Sequence, residues 1–349
     1  MPFLQDDEFF LGMDIAAVGS YNPLDPIDQP IKKYNHIPAE GLKQLHDCGV
    51  RTVMPFQFIW NEMEPEQGKM DWSYLDNYVN TACKAGMKCI LFTATAGYPD
   101  WMPDSYFVHT PARGGTTDYH VNRAALSPWN PEAQQVNNDL NRRIMKRYSS
   151  KYCLVVNSQL SVGETVLLNE PAFYDPMAIQ SYRQYSDTDE IPNPADAMTN
   201  NWLLDSYLKM LVEQQTILAQ NEFKEIFVML HPAIADMGFY GNGCNWIEEI
   251  LNELTRKIEG VKINHIYYTW IQWHQYWAKM NYWRSRFNEN VFGGAEYAEG
   301  LPTTTPLAIQ NGLRGQIIAP CYPEIHDNLE PWMLENISRA QAQWMQAKV

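Results

Sequence analysis

Apolar runs of roughly five to nine residues recur along the whole chain, and each is followed by a segment whose apolar residues repeat at helical spacing. The runs are Phe9 to Ala17, Thr52 to Phe58, Lys88 to Ala96, Leu154 to Val162, Glu225 to Leu230, Asn264 to Trp270, Val291 to Ala295 and Gly315 to Ala319. They are nearly uniformly apolar, as strands covered on both faces of a parallel sheet must be, rather than alternating as in a half-solvated sheet. The predicted helices between and after them are Ala39 to Cys48, Ser73 to Ala85, Pro131 to Ser150, Asn200 to Gln220, Trp246 to Ile258, Tyr276 to Phe287, Thr305 to Asn311 and Glu330 to Ala347. Eight strand–helix units in 349 residues predict an α/β fold: a (β/α)8 TIM barrel with residues 1–349 as one domain. A doubly wound sheet is the alternative, disfavoured because no strand-to-helix turn carries a glycine-rich phosphate fingerprint.

The connections differ by side. Those after strands two, three, four and seven are long and rich in Trp, Tyr, Pro and acids, whereas those after the helices are short. In a barrel, the strand-to-helix loops build the reactive face. A formal charge of −15 opposes the phosphate neutralisation that nucleic-acid binding needs. No window approaches the roughly 20 apolar residues of a membrane span, and the N-terminal residues lack the pattern of a signal peptide. The expectation is a cytoplasmic protein, or a secreted one if a leader has been removed, with neither nucleic acid nor membrane as partner. The six cysteines form no CxxC pair and read as free thiols. The eight histidines show no HxH or HExxH spacing, so no metal or other cofactor is expected, and His265 and His274 read as structural or sugar-facing.

Carboxylates follow two of the apolar runs. Ser161-Val-Gly-Glu-Thr-Val-Leu-Leu-Asn-Glu-Pro places Glu164 directly past the fourth predicted strand and Glu170 six residues on, within Asn169-Glu-Pro. Position favours Glu164 and the tripeptide favours Glu170, with Asn169 ready to bond a hydroxyl. Gly293-Gly-Ala-Glu places Glu296 at the end of the seventh strand, among small residues that let a ring approach the backbone, with Tyr297 beside it and Glu299 three residues on. Hydrolysis of a glycosidic bond needs one protonated carboxyl group to assist departure and one ionised carboxylate to act as nucleophile or base, and burial with mutual repulsion separates their pKa values accordingly. Other strand ends offer aromatic faces and polar groups suited to sugars: Trp60 and Glu62, Tyr98 and Trp101, His231, and Trp270, Gln272 and Trp273.

The segment Trp60-Asn-Glu-Met-Glu-Pro-Glu-Gln-Gly-Lys-Met-Asp-Trp-Ser-Tyr-Leu-Asp76, with Gly86-Met-Lys after it, resembles the strand-two region of clan A glycoside hydrolases. It is most similar to the family 42 β-galactosidase type and more distantly to β-amylases. Tyr98-Pro-Asp-Trp-Met-Pro resembles the aromatic turn after strand three, Gly163-Glu with Tyr174-Asp-Pro the acid-bearing loop after strand four, and Gly294-Ala-Glu296 the nucleophile strand. The resemblance implies glycosidase chemistry on a barrel, with Glu164 or Glu170 as acid/base and Glu296 as nucleophile. The chain departs from the pattern in lacking Asn-Glu directly at the tip of strand four.

The substrate expected is therefore an oligosaccharide or other glycoside with a β-linkage, cleaved with retention. An inverting β-amylase-like enzyme and an inactive sugar-binding barrel are the competing readings. Sugar identity and oligomeric state have no signature in the sequence.

Overall fold

A computed structural model describes residue 3 and residues 10–15, 39–55, 58–92, 95–112, 118–149, 153–156, 171–230, 246–267, 291–295, 300–318 and 329–347. Eight of its strands form one sheet: β1 (Phe10–Ile15), β2 (Thr52–Pro55), β4 (Lys88–Phe92), β8 (Cys153–Val156), β9 (Glu225–Leu230), β10 (Lys262–Tyr267), β11 (Val291–Ala295) and β12 (Gly315–Ile318). Each lies within or nearly within a run singled out in the sequence. The ladders are all parallel, and the order is β8-β4-β2-β1-β12-β11-β10-β9. The first unit of the chain is thus paired with the last, and consecutive units follow outward on either side. That order is a ring cut between the fourth and fifth units.

Two observations bring the cut ends together. Some Cα atoms of β8 and β9 lie within 8 Å of one another. Phe3 also spans the gap: its N–H donates to Glu225 Oε2 at 2.8 Å, at the start of β9, while Lys88 Nζ, at the start of β4, donates to its carbonyl at 2.6 Å. A flat sheet in this order would hold β4 and β9 far apart, about 28–29 Å at the usual strand spacing. One residue bonding both requires a strongly curled sheet. The Phe3 ring is 1% exposed, packs edge-on against Phe223 and Phe227 at centroid distances of 5.4 and 6.4 Å, and lies under the Lys88 ammonium. Glu225, itself fully buried, also accepts from Asn264 Nδ2 at 2.8 Å. All these groups belong to the strand starts, so Phe3 fills the floor of the sheet.

The helices are α1 (Ala39–Asp47), α2 (Trp60–Met63), α3 (Ser73–Lys84), α4 (Pro131–Tyr148), α5 (Pro176–Ser186), α6 (Ala197–Leu218), α7 (Trp246–Lys257), α8 (Leu301–Gln310) and α9 (Pro331–Ala347). The helix predicted near Tyr276 to Phe287 lies outside the described residues. Local chemistry sets two helix starts. Asn130 and Asp175 each precede a proline at the first helical position, and their side-chain oxygens accept backbone N–H groups that the helix cannot satisfy, from Glu132 and Ala133 and from Ala178 respectively. The returns to the next strand are tight. Gly49, between α1 and β2, adopts φ +105, and a Cβ there would stand 2.5 Å from the side chain of Gln341.

Three smaller elements lie within the long loops. A two-stranded parallel ladder pairs β3 (Phe58–Ile59) with β5 (Thr95–Ala96), which follow β2 and β4 in the chain. An antiparallel hairpin joins β6 (Phe107–Pro111) to β7 (Tyr119–Leu126) with an irregularity between Phe107 and Val108. Helix α5 follows the loop after β8. Neither the hairpin nor α5 is among the elements that the apolar pattern predicts.

Candidate functional site

All eight strands of the sheet run the same way, so their C-terminal ends, Ile15, Pro55, Phe92, Val156, Leu230, Tyr267, Ala295 and Ile318, lie on one rim. The long connections leave from this rim, whereas the turns at residues 48–51, 85–87, 258–261 and 311–314 return below it. Ala295 ends β11, so Glu296 is the next residue along the chain. β8 ends at Val156, eight residues before Glu164 and fourteen before Glu170. Glu164, Asn169, Glu170, His231, Trp270, Gln272, Trp273, Glu296 and Tyr297 themselves lie outside the described residues, as do Glu299 and His274.

The described part of the rim belongs to the loops after β2, β4 and β8. Its central group is one that sequence reasoning passes over, Glu64. This carboxylate is 1% exposed and fully engaged. Trp60 Nε1 donates to Oε2 at 2.6 Å, Gly68 N–H to Oε1 at 2.8 Å, and Arg143 of α4 forms a two-pronged pair at 3.0 and 2.8 Å. Burial pushes the Glu64 pKa up, but the guanidinium, the indole and the backbone N–H outweigh it, and the group is held below the usual carboxylate range. Trp101 Nε1 donates to the Glu64 carbonyl at 2.9 Å, and Asn61 N–H to the Gly97 carbonyl at 2.8 Å, which ties the two loops together.

The structure therefore brings Trp60, Tyr98 and Trp101 together, but as a packed wall. Trp60 is 0% exposed, with ring centroids 6.2 Å from Tyr98 and 6.1 Å from Trp101 in tilted and edge-on contacts. As placed, the Trp60 indole offers no face to a sugar, and its one polar atom is taken by Glu64. Tyr98 is also buried, Trp101 is half-buried, and Glu62 is exposed on the same turn. The spacing Trp60-x-x-x-Glu64, one helical turn, is the signal that could have revealed this pair.

A second polar cluster lies under the hairpin. Asp175, fully buried, caps α5 through Ala178 N–H at 3.0 Å and accepts Ser127 Oγ at 3.2 Å, while its Oδ2 has no partner among the described residues. Burial pushes its pKa up, with those hydrogen bonds and His109 opposing. The Nε2 of His109 and the Oδ1 of Asn61 are likewise buried without a partner among the described residues. Tyr119 of the hairpin stacks on Tyr174 at 4.5 Å, and burial followed by that neighbour raises the Tyr174 hydroxyl to about 12. Asp-Pro at 175–176 is a helix-start signal, and it would have found α5. A groove of about 750 Å³ runs along α5, lined in part by Pro176, Arg183, Asp187 and Ile191. It has no aromatic lining on which a pyranose could stack. No group of three or more metal-ligating side chains occurs among the described residues.

The family model described as Beta-galactosidase, glycoside hydrolase family 42, matches residues 29–189, which takes in the strand-two motif, both polar clusters and the segment containing Glu164 and Glu170. The chain is similar to the family 42 β-galactosidase type. A Beta-galactosidase of Thermus thermophilus is 34% identical over 67 residues, covering 19% of this chain and 10% of that relative. Among solved structures, the catalytic domain of beta-amylase from Paenibacillus polymyxa matches with a TM-score of 0.70 at 12% identity, covering 97% of this chain and 99% of that one. The cold-adapted beta-galactosidase from Rahnella sp. R3 matches with a TM-score of 0.65 at 11% identity over 99% of this chain and 57% of that enzyme. The sequence matches thus take in a small part of the curated relatives, and the structural matches extend the likeness of fold to nearly the whole of this chain.

Proposed function

We propose that the chain closes into a (β/α)8 barrel and is a glycoside hydrolase that cleaves a β-galactoside with retention, using Glu296 as nucleophile and Glu164 or Glu170 as acid/base. The observation that carries this reading is the end of β11 at Ala295, on the shared rim of an all-parallel sheet in ring order. Barrel enzymes take their reacting groups from that rim, and Glu296 follows it immediately. The family 42 match supports the choice of a β-galactoside as substrate. In the proposed reaction the acid/base protonates the glycosidic oxygen while the Glu296 carboxylate attacks the anomeric carbon. Water then resolves the glycosyl-enzyme, with the same residue taking the proton. Retention requires the two carboxyl groups about 5–5.5 Å apart. The Glu64–Arg143 pair fixes the loop that carries Trp60, which Trp101 joins through the Glu64 carbonyl.

A second reading, inversion of the β-amylase kind with carboxyl groups about 6.5–9.5 Å apart, is favoured by the near-complete overlap with the Paenibacillus catalytic domain. Hydrolysis of aryl β-galactosides with the product anomer followed by NMR separates the two. Expected are β-galactose as first product, loss of turnover in Glu296→Gln and loss in one of Glu164→Gln and Glu170→Gln. An α-anomer as first product supports the second reading, and sugar binding without turnover overturns both.

A further inference from the structure

Two thiols meet where α3 turns into β4. Cys83 lies in the last turn of α3 and is half-buried; Cys89, the second residue of β4, is fully buried. Gly86 between them adopts φ +83, and its N–H bonds the Cys83 carbonyl at 3.0 Å while Met87 N–H bonds the Ala82 carbonyl at 3.0 Å. This turn folds the chain back and brings the last turn of α3, with Cys83, and the start of β4, with Cys89, to one corner. On the neighbouring strand, Cys153 occupies the register position paired with Cys89.

We propose that Cys83 and Cys89 are a modification site, a dithiol that hydroperoxides oxidise to a disulfide on the side of the sheet opposite the strand-to-helix loops. Position assigns the roles. Cys83, reached by solvent, attacks the peroxide as thiolate; the O–O bond breaks, giving the Cys83 sulfenic acid and hydroxide from hydrogen peroxide. The Cys89 thiol then attacks the sulfenic sulfur, the S–S bond forms and water leaves. Peroxide is reduced by two electrons, and the two thiols are oxidised by two. The hydrogen bond from Cys89 draws the Cys83 thiol down to about 7 against the opposing effect of burial. Other ionisable groups around the corner are Lys84, Lys88, whose ammonium is engaged by Phe3, and His46 of α1, whose Nε2 would lie 3.3 Å from a Cβ placed on Gly86. Cys48, a half-buried free thiol, supplies an internal comparison.

The test treats the full-length reduced chain with hydrogen peroxide, blocks the remaining thiols and maps the peptides. Expected is the loss of two hydrogens with Cys83 joined to Cys89, reversed by dithiothreitol. In Cys89→Ala the reaction stops at a Cys83 sulfenic acid that a dimedone probe traps, and Cys83→Ala leaves Cys89 reduced. Alkylation of Cys83 by iodoacetamide at pH 7 falls about threefold in Cys89→Ala, because a roughly fifteenfold loss of thiolate is partly offset by higher intrinsic nucleophilicity. Cys89→Ser, which retains a hydrogen-bonding group in similar volume, separates loss of the thiol from loss of packing: it too must yield the trapped sulfenic acid. Oxidation of Cys83 no faster than of Cys48, or a bridge from Cys89 to Cys153, overturns the proposal.

Discussion

Arg143 grips the Glu64 carboxylate with both terminal guanidinium nitrogens, across 79 residues of sequence, at 3.0 and 2.8 Å. The pair joins the loop after β2 to α4, a helix that belongs to the following unit. Arg143 is partly exposed whereas Glu64 is not, so the two partners are not equivalent. Removing the cation strands a buried charge, while removing the charge leaves a solvated cation.

Arg143→Met is accordingly expected to destabilise the chain by about 2–3 kcal/mol, and more than Glu64→Gln does. Urea unfolding at neutral pH measures both. Equal losses would show that the indole and Gly68 N–H donors, rather than the ion pair, hold this corner.

The pH dependence of that corner has a definite sign. The Glu64 pKa is lowered in the folded state, so its contribution is fully present above the unfolded value, about 4.3, and is lost as pH falls through the folded value. The stability gap between wild type and Glu64→Gln should therefore be widest at neutral pH and narrow below about pH 4. A gap that is constant from pH 7 to pH 3 would refute the ionised, paired state.

Asp175 has the opposite sign. Its pKa is raised by burial, so the folded state favours the protonated form, and stability falls as pH rises from the unfolded value, about 3.9, through the folded one. Asp175→Asn keeps a cap acceptor and removes this slope, whereas Asp175→Ala also loses the cap of α5 and costs about 1 kcal/mol more. Thermal melts between pH 3 and pH 8 distinguish the two variants. A slope unchanged in Asp175→Asn would assign it to another group.

Trp60→Phe separates wall from ligand. The substitution retains an aromatic ring but deletes the N–H that reaches Glu64, and it should cost about 1–3 kcal/mol of stability while leaving KM for an aryl galactoside unchanged. A KM that rises several-fold with little loss of stability would show that Trp60 meets the sugar after all.

Phe3→Ala should cost about 3–4 kcal/mol, because it empties a site bordered by Phe223, Phe227 and the Lys88 ammonium. A drop in Tm without any change in KM is the expected pattern, since the floor lies at the end of the sheet away from the strand-to-helix loops.

The strands are legible in the sequence because burial on both faces leaves a one-letter record: Val291 to Ala295 and Glu225 to Leu230 have in the structure the bounds that their apolar runs predict. The hairpin is not, because Tyr119–Leu126 carries His120, Asn122 and Arg123 among its apolar residues and, among the described strands, pairs with its own neighbour alone. Phe3 gives no signal either, since its partners Lys88 and Glu225 lie far along the chain. The strand-two motif is recognisable from its sequence, but its physical meaning requires coordinates. Trp60 reads as a sugar platform because aromatics at strand ends often are, and only the position of Glu64 shows what the indole does.

The bond from Phe3 to Glu225 also sets a timetable. The two residues are 222 positions apart, and at about 5–20 residues per second of synthesis, roughly 10–45 s pass between their appearances on the ribosome. Through that interval the early strands and the Phe3 ring stand without the partner that closes the floor. Nascent chains stalled before Glu225 should carry an exposed, protease-sensitive N-terminal segment, and a chaperone that covers short aromatic stretches would find its client there.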